Sequence, residues 1–449
     1  MTRTSHPRVA LTFPSPSAVR RPGDRLLAAA VCLGVLVPSL LVVLAGTRYL
    51  TPTGWASPDS PAASLARNAL LGLLVVILLW RIIVAPADTS RPPHTLLVGI
   101  APIVAVVSSL ASGGDVVPTI IAFVTVVSFW VRPPGVELIR QIAGWGVVSC
   151  VISLILGATL PAYGLMPSVS GDQSDKAIVG GTLLSGMFNH SNTLGAVAVL
   201  ILPLVFLFRR RSTVIFSVAV TLAALLWSAS RTSIIAAIAM ALAWVAVLLL
   251  RRSNRLAVSV VSLAVITASF LVALVPFVTE DPTAFTSRGQ IWIFARGAFE
   301  ASPIFGNGVS FFQDIWAVNN GLFKDAQHAH NSLLTQLTTL GVVGGLGLVL
   351  LMLSCVLISL AYARAGRFQL SMYIIVWLVL SIGETVWRFS VTQPMWLFGT
   401  LPLIILAASG VPRRNSPQPR HGQRGHMSAG PSTVQGNTSL VQSDLVPDL

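Results

Sequence analysis

The sequence predicts an all-α polytopic membrane protein: a helical bundle of about twelve transmembrane helices, with a long outward-facing loop that contains an amphipathic helix. Three observations predict it. Charged residues make up only 10% of the chain, against roughly a quarter in soluble domains, and the mean hydropathy is +0.80. Uncharged runs such as LLAAAVCLGVLVPSLLVVLAG (26–46) reach the ~20 residues that cross a bilayer as a helix. Positive charge falls in short clusters between those runs, as membrane topology demands.

In chain order, residues 1–25 are rich in Pro, Ser and Arg and read as a disordered cytoplasmic arm without a cleavable signal peptide. Apolar runs follow at 26–46, 66–80, 95–112, 116–131, 142–160, 193–208, 213–229, 232–250, 256–278, 339–362, 370–387 and 394–410, and together make a transmembrane domain over 26–410. Residues 411–449 are a polar, disordered cytoplasmic tail. Cys32, Cys150 and Cys355 lie in apolar runs far apart in sequence, so they read as small core residues.

Placing the N-terminus inside makes 81–94, 132–141, 209–212, 251–255, 363–369 and the tail cytoplasmic, and 21 of the 27 arginines then fall inside. That order explains the net charge of +14 without a nucleic-acid partner. The outward exceptions are Arg48, Arg67, Arg231, Arg288, Arg296 and Arg388. Arg48 and Arg67 flank a loop and can snorkel to headgroups. The other four sit in or beside the outer half of the membrane, where an arginine costs up to ~2.5–3.5 kcal/mol at a helix centre. Two long outside segments, 161–192 and 279–338, hold His190, His328 and His330, while the other four histidines are cytoplasmic. Polar chemistry gathers on one face.

In GMFNHSNTLG (186–195), Ser191 or Asn192 is a natural helix N-cap, and His190 lines the site beside it. In WSASRTSIIAAIAMALAWVAV (227–247), Ser228 and Ser230 can cap the helix that Arg231 opens. A cation there opposes the helix dipole and asks for an anion; a diphosphate would satisfy both arginine and helix end. The plainer alternative is an interfacial anchor. In SRGQIWIFARGAFEASPIFGNG (287–308), Ile291, Ala295, Ala298 and Phe299 make an apolar face, while Arg288, Trp292 and Arg296 share a flank. A surface helix of that form can reach a lipid headgroup, or simply present solvated arginines.

HAHNSLLTQLTTLGVVGGLG (328–347) places Asn331 or Ser332 as N-cap beside His330. The positive end of the helix disfavours imidazolium, leaving a ring able to accept a proton. His328 and His330 with Asp325 form the alternative, a metal site. Gly341, Gly344, Gly345 and Gly347 permit close helix contact. Glu384 and Arg388, four apart on the eleventh run, can pair on one helix face, as a structural pair or a substrate-lining one. There is no DxD pair for a sugar nucleotide and no Walker loop.

GMFNHSNTLG, SASRTS at a span start, SRGQIWIFARGAFEASPIFGNGVSFF and HAHNSLLTQLTTLGVVG, in this order, resemble the O-antigen ligase/polymerase family of bacterial envelope enzymes over roughly residues 180–350. The resemblance implies a GT-C-like helical fold and an inverting, metal-independent glycosyltransferase that needs no cofactor. Its donor would be a polyprenyl-diphosphate-linked glycan, such as one on undecaprenyl diphosphate. Its acceptor would be a glycan, lipid or protein hydroxyl on the outer face of the cytoplasmic membrane. The family's arginine at a span mouth matches Arg231, its loop arginine Arg288, and its histidine before the late span His330. These three are the expected catalytic residues, with Arg296, His190, Asn192, Asn331, His328 and Trp292 as substrate-binding neighbours and membrane lipids as surroundings. The Arg- and Ala-rich composition departs from the family and favours a cell-wall, capsular or exopolysaccharide glycan over O-antigen. A transporter or flippase is the rival reading. It calls for polar groups near the midplane in broken helices of related halves, whereas the central runs here are almost purely apolar.

Overall fold

The computed structural model describes residues 22–46, 49–51, 54–56, 60–84, 100–112, 116–166, 176–250, 252–318, 328–389 and 391–409. Residues Met1–Val411 form one compact unit; the second, Pro412–Leu449, lies outside the described residues, as do Asp325 and residues 1–21 of the expected N-terminal arm.

Among the described residues the structure is all-α apart from a small antiparallel hairpin of β1 (Tyr49–Thr51) and β2 (Gly54–Ala56). Its helices are α1 (Pro22–Leu44), α2 (Pro61–Val84), α3 (Ile100–Ser112), α4 (Val116–Val131), α5 (Val136–Thr159), the single turn α6 (Pro161–Gly164) and α7 (Ser191–Ile201). They continue with α8 (Arg211–Ser228), α9 (Arg231–Leu249), α10 (Asn254–Val278), α11 (Ala284–Ala301), α12 (Phe311–Val318), α13 (Ser332–Arg364), α14 (Gln369–Gly383) and α15 (Leu401–Ser409), the last preceded by a π turn over Trp396–Thr400. Each of the twelve expected runs overlaps helix, although the eleventh outlasts its helix, which ends at Gly383, and residues 95–99 and 410 lie outside the described residues. Among the described residues, seven helices are long and apolar enough to cross a membrane, and four further apolar helices are shorter.

Burial sorts these helices into two layers. In α14 nearly every residue is buried, and it packs against α7, α9, α10 and α13. Outside it, α8, α9 and α10 bury only a thin stripe and expose large apolar side chains such as Ile235, Leu242, Leu263 and Phe270. Water would penalise that surface by roughly 25 cal/mol per Å², and lipid does not. The chain is therefore a multi-pass membrane protein.

Two expectations change. Arg81, expected in a cytoplasmic loop, lies inside α2 and is fully buried. Its guanidinium donates to the Ser128 hydroxyl (3.4 Å) and the Arg132 carbonyl (3.0 Å), so it closes the C-terminal end of α4. The glycine run also does more than let helices approach, because α13 is broken at Gly341 (φ 65°, ψ −165°), a conformation open only to glycine. The break frees backbone groups, and the turn after α11 takes them. Val342 and Val343 N–H donate to the Pro303 and Ile304 carbonyls (2.8 and 3.3 Å), while Asn307 and Gly308 N–H donate to Thr338 and Thr339 (3.0 and 2.9 Å). The backbones meet so closely that a Cβ on Gly341 would lie 2.2 Å from the Ile304 oxygen.

Gly341→Ala is therefore expected to cost about 3 kcal/mol or more, read as a lowered melting midpoint of the detergent-solubilised protein. Gly297→Ala, with open space at its Cβ, should leave the midpoint unchanged.

Candidate functional site

The site forms where the chain leaves α14. Helix ends at Gly383; Glu384 is extended (φ −141°, ψ 154°), and the β-branched pair Thr385–Val386 follows it outside any helix. Ser332, at the start of α13, holds this segment: Val386 N–H donates to its hydroxyl (3.0 Å), which donates to the Glu384 carbonyl (3.3 Å). Glu384 is thereby aimed inward instead of along a helix face, and the expected Glu384–Arg388 helix pair does not form.

The Glu384 carboxylate instead joins three other segments. Oε1 accepts from Arg288 at 2.5 Å and from the Asn192 amide at 3.4 Å, and Oε2 lies 3.4 Å from His330 Nδ1. All three ionisable side chains are 13–18% exposed. Burial alone would raise the Glu384 carboxyl, but His330 and Arg288 outweigh it and hold it well below the usual range. Arg288 also donates to Thr232 (3.0 Å) in the first turn of α9, next to Arg231. Gly383 leaves room for this: a Cβ there would stand 2.8 Å from the Arg288 guanidinium.

His330 is presented by a turn in which it takes a left-handed conformation (φ 48°). His328 Nδ1 accepts the His330 backbone N–H (3.1 Å) and touches the Thr385 hydroxyl (3.1 Å), and the two rings stand 4.3 Å apart. Burial, and then the charges of His330, Arg388 and Arg288, push His328 well below the usual histidine range. Asn331 is the N-cap of α13, accepting from Leu334 N–H (2.8 Å) and donating to the Val272 and Ile382 carbonyls (3.1 and 3.3 Å). It is fully buried, and its geometry stitches α10, α13 and α14 together.

The loop helix differs from expectation. Phe285, Thr286 and Ser287 form a left-handed turn, so right-handed helix starts at Arg288. The buried stripe is Gly289, Trp292 and Ala295, turned from the predicted Ile291–Phe299 face. Trp292 enters the core and its indole donates to the Ala329 carbonyl (2.8 Å), supporting the histidine turn. Arg296 is occupied elsewhere: it binds the Phe277 carbonyl, the Thr279 carbonyl (3.2 Å) and Glu280 (3.1 Å), which closes the end of α10.

The remaining residues take more open positions. His190, not Ser191 or Asn192, caps α7, its Nδ1 accepting from Asn192 N–H (3.0 Å). Ser230 occupies the N-cap position of α9 but bonds the Ser233 hydroxyl (2.8 Å), and Ser228 bonds back to Leu225 (2.7 Å). Arg231 is exposed, and its guanidinium has no partner among the described residues. Arg388 is half-buried; Thr400 holds its backbone on both sides (3.0 and 2.9 Å), and no described residue pairs with its guanidinium. Sequence reasoning set Arg388 against Glu384 because it extended the helix past Gly383. The glycine followed by Thr385–Val386 was the available signal for the break.

Ligand atoms of His328, His330 and Glu384 lie within 4.8 Å of one another, so Glu384 takes the place that sequence spacing gave to Asp325 in a metal set.

Residues 216–349 match the family model described as O-antigen ligase. That stretch contains α9, α10, α11 and the histidine turn, and stops short of Glu384. Among curated proteins, nothing matches the chain.

Neutral His328 makes stability fall with acid. Below about pH 6.5 the unfolded chain protonates this ring while the folded protein resists, so stability is lost as pH falls through that range. His328→Asn keeps an acceptor in the Nδ1 position, and its melting midpoint should decline less between pH 7 and pH 5 than that of the unaltered protein.

Proposed function

We propose that the chain is an O-antigen ligase/polymerase-type enzyme of polysaccharide assembly, a reading supported by the family match over residues 216–349, and that it transfers a polyprenyl-diphosphate-linked glycan to an acceptor hydroxyl on the outer face of the cytoplasmic membrane. The observation that carries this reading is the Glu384–His330 pair, with Arg288 bonded to the same carboxylate beside Thr232 in the first turn of α9. An ionised carboxylate can only accept, so a neutral His330 donates to it through Nδ1, which makes Nε2 the unprotonated ring nitrogen and the basic atom of the pair. Nε2 takes the proton of the acceptor hydroxyl as its oxygen bonds to the anomeric carbon. The bond from that carbon to the donor phosphate breaks, inverting the centre and releasing polyprenyl diphosphate.

Arg231 and Arg388 meet the charge that develops on the leaving diphosphate. Arg288 lies between the two functions: it orients Glu384 and adds positive potential beside Thr232. His328 presents Nε2–H as a donor, since its Nδ1 is taken by the His330 N–H. Asn192 and His190 border the same carboxylate, while Arg296, Trp292 and Asn331 position the loop helix and the turn.

The reading is metal-independent because of what surrounds the three possible ligands. Glu384 is already bonded to Arg288, His328 Nδ1 is already an acceptor, and two arginines raise the local potential against a cation. A flippase reading would leave the His330–Glu384 pair without a task. The composition favours a cell-wall, capsular or exopolysaccharide glycan as cargo.

Reconstitution with a polyprenyl-diphosphate glycan tests the assignment. His330→Ala is expected to slow transfer by ~10²–10⁴-fold, and Arg231→Ala and Arg288→Ala by roughly 10²-fold or more, at unchanged membrane insertion. Normal transfer by all three variants sinks the assignment. A ladder of products identifies a polymerase, and a single transfer to a different acceptor a ligase.

A further inference from the structure

The start of α10 and the end of α13 enclose a groove of about 640 Å³, at the opposite end of α10 from the candidate site. Asn254 fixes its mouth by donating to the Arg364 carbonyl (2.9 Å). Arg255, in the first turn of α10, and Arg364, in the last turn of α13, line that mouth. Both are exposed, neither guanidinium has a partner among the described residues, and no acidic residue lines the groove.

Away from the arginines the groove follows α10 past Val258, Leu263 and Ile266. Leu263 and Ile266 are each 65% exposed. The two serines on this face offer no open polarity, because Ser259 bonds to the Arg255 carbonyl (3.0 Å) and Ser262 to the Val258 carbonyl (2.8 Å). From Arg255 to Ile266 the helix rises roughly 16 Å, about half of the ~30 Å hydrocarbon core. Two cations at one end and an apolar wall of one leaflet's depth match an anionic headgroup with its acyl chain.

We propose that this groove binds one anionic phospholipid, its phosphate between Arg255 and Arg364 and an acyl chain along Leu263 and Ile266. Two guanidiniums converging on one phosphate can make paired, charge-assisted bonds, which arginines anchoring separately at the interface do not. The site stands apart from the glycan-transfer reading and survives or fails without it.

Native mass spectrometry of the full-length protein in detergent, titrated with phosphatidylglycerol or phosphatidylcholine, is the test. The unaltered protein should retain one phosphatidylglycerol in preference to phosphatidylcholine. The double variant Arg255→Gln/Arg364→Gln should weaken phosphatidylglycerol binding roughly tenfold or more. Arg209→Gln/Arg210→Gln, an equal loss of charge at exposed positions elsewhere, should leave it intact. Leu263→Trp keeps both arginines, fills the groove and should weaken binding as well. Equal retention of the two lipids, or equal weakening by the two double variants, overturns the proposal.

Discussion

A carboxylate inside an apolar bundle must be met by cations and donors, and the arrangement around Glu384 follows from that requirement. An uncompensated buried charge costs several kcal/mol, so Glu384 draws Arg288 from the loop helix, Asn192 from α7 and His330 from the turn before α13. Each partner has a second tie: Arg288 to α9 through Thr232, the Asn192 N–H to His190, and the His330 N–H to His328, which in turn touches Thr385. One ionised group thus fixes the relative position of five segments. It also sets the orientation of His330, because a carboxylate that only accepts selects which ring nitrogen carries the proton.

The same requirement divides the arginines by task. Arg296 bonds to the end of α10 and to Glu280, and Arg288 to Glu384, so their charges are largely balanced within the protein. Arg231 lacks such a partner among the described residues, and Arg388 feels the Glu384 charge without a direct ion pair to it. This difference between chemically identical side chains within one region fits the anion-binding role proposed for Arg231 and Arg388.

Much of this was legible beforehand. Among the described residues, apolar runs overlap each of the long apolar helices, since lipid-facing and core positions alike need apolar residues and the ~20-residue length is a bilayer property. His330, Arg288 and Arg231 stood out because polar groups beside apolar spans carry a cost that a ligand could offset, with an interfacial anchor or a solvated flank as the plainer alternative for the arginines. Glu384's partners were not legible, because helix periodicity was carried one turn too far and paired it with Arg388, whereas Gly383 and the β-branched pair after it end the helix. The loop helix face was misplaced because aliphatic spacing ranked Ile291 above Trp292. Tryptophan has the larger surface to bury and here a carbonyl for its N–H, and those tertiary facts outweigh periodicity. His190 as cap was missed because serine and asparagine are the commoner caps.

The break in α13 bears on how the protein is made. Ser332–Arg364 has the length and apolarity to insert as one uninterrupted span, with every backbone group bonded within itself. Opening that span at Gly341 leaves N–H and C=O groups that lipid cannot satisfy, and the turn carrying Pro303, Ile304, Asn307 and Gly308 takes them. That turn is synthesised before α13, so its partner already waits when the span arrives. The kink and the docked turn therefore depend on each other in the folded protein, because each supplies the backbone partners that the other would otherwise leave unmet in lipid.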